Sequence, residues 1–143
     1  MNDAEAVRLH LVRIESLIAE HGWAIQGVGG RAPGDLGIFY TVGLTAANRS
    51  ELCLSALSPP LSADVLNAAV KIHLGAELKH GDETRDLASV PLRMISAPEL
   101  EMNVARALYG PQVQALQLVW PDDEGNWPPS SRMAQRLFGE PWW

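Results

Sequence analysis

The segment GIFYTVGL at residues 37–44 constrains the fold of this chain more than any other stretch of the sequence. Its apolar content predicts a buried strand over residues 38–44, in which successive side chains point to opposite faces. One face holds four residues, which are Ile38, Tyr40, Val42 and Leu44. The other face holds Phe39, Thr41 and Gly43, and the glycine leaves room there for another backbone, a Trp ring or a ligand.

Two further apolar runs predict strands on either side of this one, WAIQGV at residues 23–28 and ELCLSAL at residues 51–57. Between the first two strands, residues 29–37 read GGRAPGDLG, and four Gly and one Pro cannot hold a regular element. Because both connections are short, residues 23–57 predict an antiparallel meander of three strands.

An amphipathic helix is predicted ahead of these strands, at residues 3–21. Asn2 and Glu5 have the spacing of a capping box, and Gly22 supplies the usual stop after the last helical residue. The apolar stripe of this helix consists of Val7, Leu11, Ile14, Leu17 and Ile18.

The second half of the chain predicts helices and strands in mixed order. Ser62 is the predicted N-cap of a helix that Gly75 ends, with an apolar stripe that includes Leu74. Strands are predicted at 76–80, 88–95 and 116–120, and helices from Pro98 to Tyr109 and over 131–138, before the Trp tail. Because strand and helix do not alternate regularly, we expect an α+β fold rather than a doubly wound one. The expected single domain, 1–143, has a largely antiparallel sheet, with a barrel-like form as one option, flanked by three to four helices.

Charge and cysteine content exclude several classes of protein. The formal net charge is −6 and no Lys/Arg cluster is present, which argues against binding to nucleic acid. The single cysteine, Cys53, favours a reducing compartment. The first ten residues carry acids where a signal peptide carries bases, and no run reaches the ~18 apolar residues of a membrane span. We therefore predict a cytoplasmic protein without a membrane partner.

Three pieces of the chain together resemble a known family. They are IFYTVGLTAANRSELCLSALSPP at 38–60, ADVLNAAVKIHLG at 63–75 and LQLVWPDDEGNWP at 116–128. In this order they are similar to the bacterial family called domain of unknown function 4262, over about residues 20–130. The family's late motif commonly runs Gly-x-aromatic-Pro-Trp, whereas residues 125–129 read GNWPP and lack that Trp. The family carries no established activity, so the resemblance implies no reaction and no catalytic residue.

Candidate nucleophiles and metal ligands form no recognised motif. None of the four histidines lies in HExxH or pairs with a cysteine at zinc-like spacing. Ser55 and Ser58 lack a GxSxG context, and Cys53 lies mid-strand, where a thiol usually acts as a small core residue. His73 lies near a helix end, where the dipole favours a cation. We therefore predict no catalytic residue, no metal and no cofactor.

Two hypotheses for the face of strand 38–44 remain open. Either a helix or Trp23 packs on it, or it forms a shallow pocket. The pocket hypothesis uses Phe39, Tyr40, Thr41 and Gly43 together with Trp120 or Trp127, and closes under the glycine loop, where Arg31 offers a guanidinium to an anionic ligand. A flavin-like or nucleotide-like molecule would suit such a pocket.

The tryptophans motivate the preferred functional hypothesis. Trp120 and Trp127 flank a turn and are predicted to pair across a hairpin. Trp142 and Trp143 end the chain, and two adjacent indoles are costly to leave in water, so they either fold back on the body or pack on a second subunit. We therefore expect a non-catalytic binding or interaction module, with self-association as one option, rather than an enzyme.

Overall fold

The structure, a computed structural model, describes residues 2–29, 37–131 and 135–143. Its strands form a single six-stranded sheet. The elements are α1 (Asp3–His21), β1 (Ala24–Val28), β2 (Ile38–Val42), a 3₁₀ helix (Leu44–Ala47), β3 (Glu51–Ser55), α2 (Pro59–Gly75), β4 (Glu83–Thr84), β5 (Leu92–Ser96), α3 (Asn103–Tyr109) and β6 (Ala115–Val119). The strand order is β1-β2-β3-β6-β5-β4, so the sheet is open and β1 and β4 are its edges. All pairings are antiparallel except that between β3 and β6, which confirms the α+β prediction.

Helices cover both faces of the sheet. On one face, α1 and α3 pack over β2 through Ile14, Leu17 and Val104, which contact the cluster around Tyr40 and Val42. On the other face, α2 packs alone, and its buried residues are Ser62, Val65, Leu66, Ala69, Val70 and His73. The sheet therefore separates two apolar clusters, which we call the α1/α3 side and the α2 side.

The predicted bounds of α1 are confirmed, and so are its caps. Asn2 accepts a hydrogen bond from the N–H of Glu5, and Gly22 follows in the left-handed conformation with φ of 92°. The predicted apolar stripe is buried only in part, because Ile14 is the one fully buried residue of α1 whereas Val7 is 59% exposed. The N-terminal half of the helix instead borders α3, where Val7 and Leu11 line a pocket together with Val104.

The strand that contains Tyr40 is shorter than predicted, because it ends at Val42. Gly43 then adopts φ of 132°, which only glycine tolerates readily, and the chain enters the 3₁₀ helix. This turn carries Leu44 to the α2 side, so the prediction that Leu44 shares a face with Tyr40 is wrong.

Two predicted helix starts are displaced. Ser58, not Ser62, is the N-cap of α2, because Pro59 and Pro60 occupy the first turn, where proline lacks only an N–H that is unbonded anyway. Leu74, predicted in its buried stripe, is 41% exposed. The helix predicted from Pro98 begins at Asn103 instead.

Three further predictions need correction. Residues 76–80 form no strand, and the strand predicted at 88–95 is β5, which begins only after Pro91. The helix predicted over 131–138 is wrong for Ser131 and for 135–138, while 132–134 lie outside the described residues. Residues 135–143, which we call the C-terminal strap, instead cross the α1/α3 side without a regular element, and Phe138 joins the core there.

Candidate functional site

Glu51, the first residue of β3, carries a fully buried carboxylate. The hydroxyl of Thr41 donates to its Oε1 at 2.9 Å, and the N–H groups of Leu44 and Thr45 donate at 3.1 and 2.8 Å. The N–H of Gly43 and the hydroxyl of Thr45 also donate to it. Because these backbone donors are the first N–H groups of the 3₁₀ helix, the carboxylate caps that helix and fastens the β2–β3 connection.

The face of β2 that the sequence leaves open is filled by neighbouring backbone. A Cβ at Gly43 would lie 2.9 Å from the carbonyl oxygen of Gly22 and 3.0 Å from Cα of Trp23. Farther along the strand, the ring of Phe39 lies across Gly27, where a Cβ would come within 2.8 Å of it. Packing by Trp23, one of the two predicted alternatives, therefore describes this face.

Tyr40 lies on the opposite face from Phe39 and Thr41, so the structure does not bring these predicted site residues together. Its side chain is 1% exposed, and its hydroxyl accepts the N–H of Val104 at 3.2 Å, in the first turn of α3. Burial raises the pKa of the phenol, and the bond from Val104 opposes that rise. The phenol is therefore a neutral group that can still donate its proton.

The tryptophans pair differently from the prediction. Trp120 is buried on the α2 side, whereas the ring partner of Trp127 is Trp143, with centroids 5.6 Å apart. Trp142 in turn lies edge-on to Trp143 at 5.3 Å. The guanidinium of Arg93 lies 4.0 Å from the centroid of Trp127 and within 5.3 Å of the other two rings. We call these four residues the Trp clamp.

The Trp clamp holds the C-terminal strap on its own chain. The indole N–H of Trp142 donates to the carbonyl of Met94 at 2.9 Å, and that of Trp143 donates to the carbonyl of Pro128 at 2.6 Å. Of the two alternatives for the tail, the structure therefore shows folding back on the body. Arg31, assigned to the pocket by the sequence, lies outside the described residues.

Cys53 and His73 are both buried and both structural. Burial raises the pKa of the Cys53 thiol, which keeps it protonated and unreactive. The His73 ring accepts the N–H of Leu78 at Nδ1, so Nε2 carries the proton and donates to the carbonyl of Ser50 at 3.1 Å. Burial lowers the pKa of His73, and the ring is neutral rather than the cation that its place near the helix end predicted.

A groove of about 530 Å³ lies along the free edge of β1, between α1 and α2. Leu17 and His21 of α1 form one wall, Asn67 and Lys71 of α2 form the other, and Ile25 lies in β1 between them. The indole N–H of Trp23 donates to Oδ1 of Asn67 at 2.8 Å and so joins the start of β1 to the second wall. We call this surface the edge groove.

Hydrogen bonds across the hairpin determine which backbone groups of β2 face β1. The N–H of Ala56 donates to the carbonyl of Gly37 at 3.3 Å, in register with the β2–β3 pairing of Ile38 with Ser55. The backbone groups of an antiparallel strand alternate between its two neighbours from one residue to the next. Gly37 therefore faces β3, and Ile38 and Tyr40 direct their backbone groups to β1.

The same alternation leaves backbone groups of β1 without a strand partner. Gln26 lies opposite Tyr40 and so directs its N–H and C=O to β2. Ile25 and Gly27, on either side of it, direct theirs away from the sheet, and Ile25 lines the edge groove. The side chain of Gln26 covers one of these groups, since its Nε2 donates to the carbonyl of Gly27 at 2.9 Å. No described residue bonds the N–H groups of Ile25 and Gly27 or the carbonyl of Ile25, so these groups are available to a further strand.

Basic side chains line the edge groove. His21 and Lys71 are its ionisable lining residues, and both are exposed. Glu20 lies beside His21, 3.8 Å from Nε2, at the outer rim. Lys71 therefore places a positive charge on the α2 wall of the groove, in a protein of net negative charge.

The described part of the chain contains neither a membrane-spanning helix nor a cluster of metal ligands. No helix within residues 2–29, 37–131 and 135–143 is long and apolar enough to cross a membrane. Over the same ranges, no three His, Cys, Asp or Glu side chains converge as they would around a metal ion.

One family model matches the chain, over residues 17–134, and describes a domain of unknown function, DUF4262. The match covers well over half of the chain and agrees with the resemblance predicted for about residues 20–130. No curated protein and no solved structure is similar enough to the chain to count as a match.

Proposed function

The chain belongs to the DUF4262 family of domains of unknown function, and we propose that it is a non-catalytic interaction module that binds an extended segment of another protein. The segment adds as a strand to the free edge of β1. The observation that carries this proposal is the outward direction of the backbone groups of Ile25 and Gly27 at the free edge of β1, where Ile25 lines the edge groove. Addition of a strand to an exposed sheet edge is a common mode of peptide recognition, because main-chain hydrogen bonds supply affinity without regard to sequence.

The walls of the edge groove favour a single extended chain over a second copy of this protein. Exposed edges are usually blocked by charge, proline or covering elements. In the described part of β1, the Gln26 side chain covers one carbonyl, and His10 of α1 lies 2.7 Å from its Oε1. A second copy that paired through its own β1 would bring its own α1 and α2 against the same two walls. An isolated segment brings no such helices and leaves the Trp23–Asn67 hydrogen bond intact.

Charge indicates the kind of segment that fits. Alternate side chains of an added strand would point toward α1, where His21 lies, and toward α2, where Lys71 lies. Because residues at alternate positions share one face of a strand, carboxylates there would all point toward α2 and pair with the Lys71 ammonium, while the intervening side chains would point toward α1. The proposed partner is therefore an extended segment that carries Asp or Glu at alternate positions, and the charge selects it over basic segments.

A matched pair of peptides tests this proposal. The probes are an acetylated, amidated eight-residue peptide in which valine alternates with glutamate, labelled with fluorescein, and its counterpart with lysine in place of glutamate. We expect anisotropy to detect binding of the acidic probe only. Lys71→Glu should weaken that binding by about fivefold or more, as loss of a pairing worth about 1 kcal/mol requires. Lys79→Glu, an equal charge change at an exposed site outside the groove, should leave it unchanged.

Three outcomes would contradict the proposal. One is equal binding of the acidic and basic probes, and another is equal weakening by Lys71→Glu and Lys79→Glu. The third is a dimer mass in sedimentation equilibrium that Lys71→Glu converts to a monomer, since the groove would then serve self-pairing.

Self-association and a cytoplasmic location, both expected from the sequence, also remain proposals. Self-association through Trp142 and Trp143 stays a prediction, but the bonding of both indole N–H groups within the chain gives it less support than the edge groove has. A cytoplasmic location is also proposed, and a single, buried, reduced Cys53 supports it.

A further inference from the structure

A second cavity lies on the α1/α3 side, away from the edge groove. Its volume is about 290 Å³, near the lower end of the range for small-molecule sites. The apolar part of its lining comes from Val28, Ile38, Leu100 and Phe138. Tyr40, Glu99, Glu101 and Arg136 supply the polar part. We call it the Tyr40 cavity.

The Tyr40 hydroxyl is held so that its proton is available to a ligand. Its oxygen accepts the N–H of Val104, in a helix whose N-cap, Met102, makes no side-chain capping bond. A phenol has one proton to donate, and no residue of the described ranges accepts it. Burial raises the pKa of Tyr40, so the phenol stays protonated, and Tyr40 lines the cavity.

Arg136 is positioned by buried side chains on the sheet. Its carbonyl accepts from the Ser55 hydroxyl at 3.2 Å and from Nε2 of Gln117 at 2.7 Å, while its N–H donates to Ser55 at 3.1 Å. Gln117 is fully buried and also accepts the N–H of Phe138. The guanidinium lies 4.9 Å from the Phe138 ring. The Arg136 side chain therefore starts from a fixed backbone, although the chain there has no regular structure.

The carboxylates come from the segment before α3. Glu99 and Glu101 are exposed at the cavity, and the N–H of Glu99 donates to the carbonyl of Phe138 at 2.9 Å. This bond joins the acidic wall directly to the strap that carries Arg136. The cavity thus combines two carboxylates, one guanidinium, one phenol donor and an apolar wall.

We infer that the Tyr40 cavity binds a small zwitterion of the α-amino acid class with an apolar side chain. The ligand ammonium pairs with Glu99 and Glu101, and its carboxylate accepts from Arg136 and from the Tyr40 hydroxyl. The side chain lies against Ile38, Leu100 and Phe138. This site is independent of the edge groove, since the two share no lining residue.

Three related compounds test the inference by isothermal titration calorimetry on the full chain. L-Leucine carries both charges, leucinamide lacks the carboxylate, and 4-methylpentanoate lacks the amine. We expect L-leucine to bind and each analogue to bind at least about tenfold more weakly, as loss of one charged pairing implies. Arg136→Gln should weaken L-leucine binding and leave leucinamide unaffected, whereas Arg8→Gln, an exposed change on α1, should alter neither.

The substitution Tyr40→Phe provides a second test of ligand binding at the same cavity. It should weaken L-leucine more than leucinamide, because it removes the donor to the carboxylate but keeps the ring. No heat of binding with L-leucine, L-isoleucine or L-methionine would overturn the inference. Equal affinity for L-leucine and its two analogues would also overturn it, since binding would then depend on the apolar wall alone.

Discussion

Thr41 and Glu51 face each other across the β2–β3 connection, with the Thr41 hydroxyl 2.9 Å from Oε1 of the buried carboxylate. The same hydroxyl accepts the N–H of Leu52 at 2.9 Å, so Thr41 links the carboxylate to the backbone of β3. These bonds account for the polar residue in the middle of an otherwise apolar strand. Thr41 and Gly43 therefore hold the turn.

Glu51→Ala should lower the free energy of unfolding by about 3–5 kcal/mol, because a buried charge network loses its common acceptor and several donors stay unsatisfied. Urea denaturation followed by circular dichroism measures the change. Glu77→Ala, at an exposed carboxylate, is the matched control and should change stability by less than about 0.5 kcal/mol. Equal effects of the two substitutions would show that Glu51 does not hold the turn.

Arg93→Ala should loosen the C-terminal strap. The guanidinium lies over three indoles and also donates to Glu83 at 2.9 Å. We expect a loss of about 1–2 kcal/mol and a red shift of Trp fluorescence, since cation–π contacts weaken and the rings gain water. Arg8→Ala, an exposed arginine of α1, should produce neither change. A native emission spectrum in the Arg93 variant would argue against the Trp clamp.

His73 should make the protein less stable at acidic pH. Its folded-state pKa is lowered by burial, so below the unfolded value of about 6.5 the unfolded chain binds a proton that the native ring resists. Stability is thus fully present above about pH 6.5 and falls below it, by up to about 1.4 kcal/mol per pH unit. His73→Gln should flatten the curve of unfolding free energy between about pH 5 and 7. An unchanged slope in this variant would mean that another group titrates.

Local signals were sufficient to predict much of the fold. The α1 caps, the three strands of the meander and β6 follow from apolar periodicity, Gly22 and the short connections. The start of α2 was misplaced because Ser58 and Ser62 are both good N-caps, and the Pro59–Pro60 pair decides between them. The helix predicted at 131–138 fails because Ser55 and Gln117, distant in sequence, bond the backbone of Arg136.

The candidate sites were harder to predict than the fold. The sequence suggests a pocket that groups Tyr40 with Phe39 and Thr41, whereas in the structure Tyr40 lies on the opposite face of β2 and lines a cavity there. The capping role of Glu51 had one available signal, a carboxylate at the start of an apolar strand, shortly after Thr41 and Thr45. The edge groove left no local signal, because a strand becomes an edge only through the order of the whole sheet.

Amide hydrogen exchange, resolved by NMR at Ile25, Gln26 and Gly27, tests the central claim most directly. In the free protein, the Gln26 amide should exchange slowly, because it bonds to β2, and those of Ile25 and Gly27 should exchange fast. Addition of the valine–glutamate peptide should slow Ile25 and Gly27 by about tenfold or more and leave Gln26 unchanged. If the peptide binds and these two amides exchange at their free rates, the partner does not add to β1, and the proposed function is wrong.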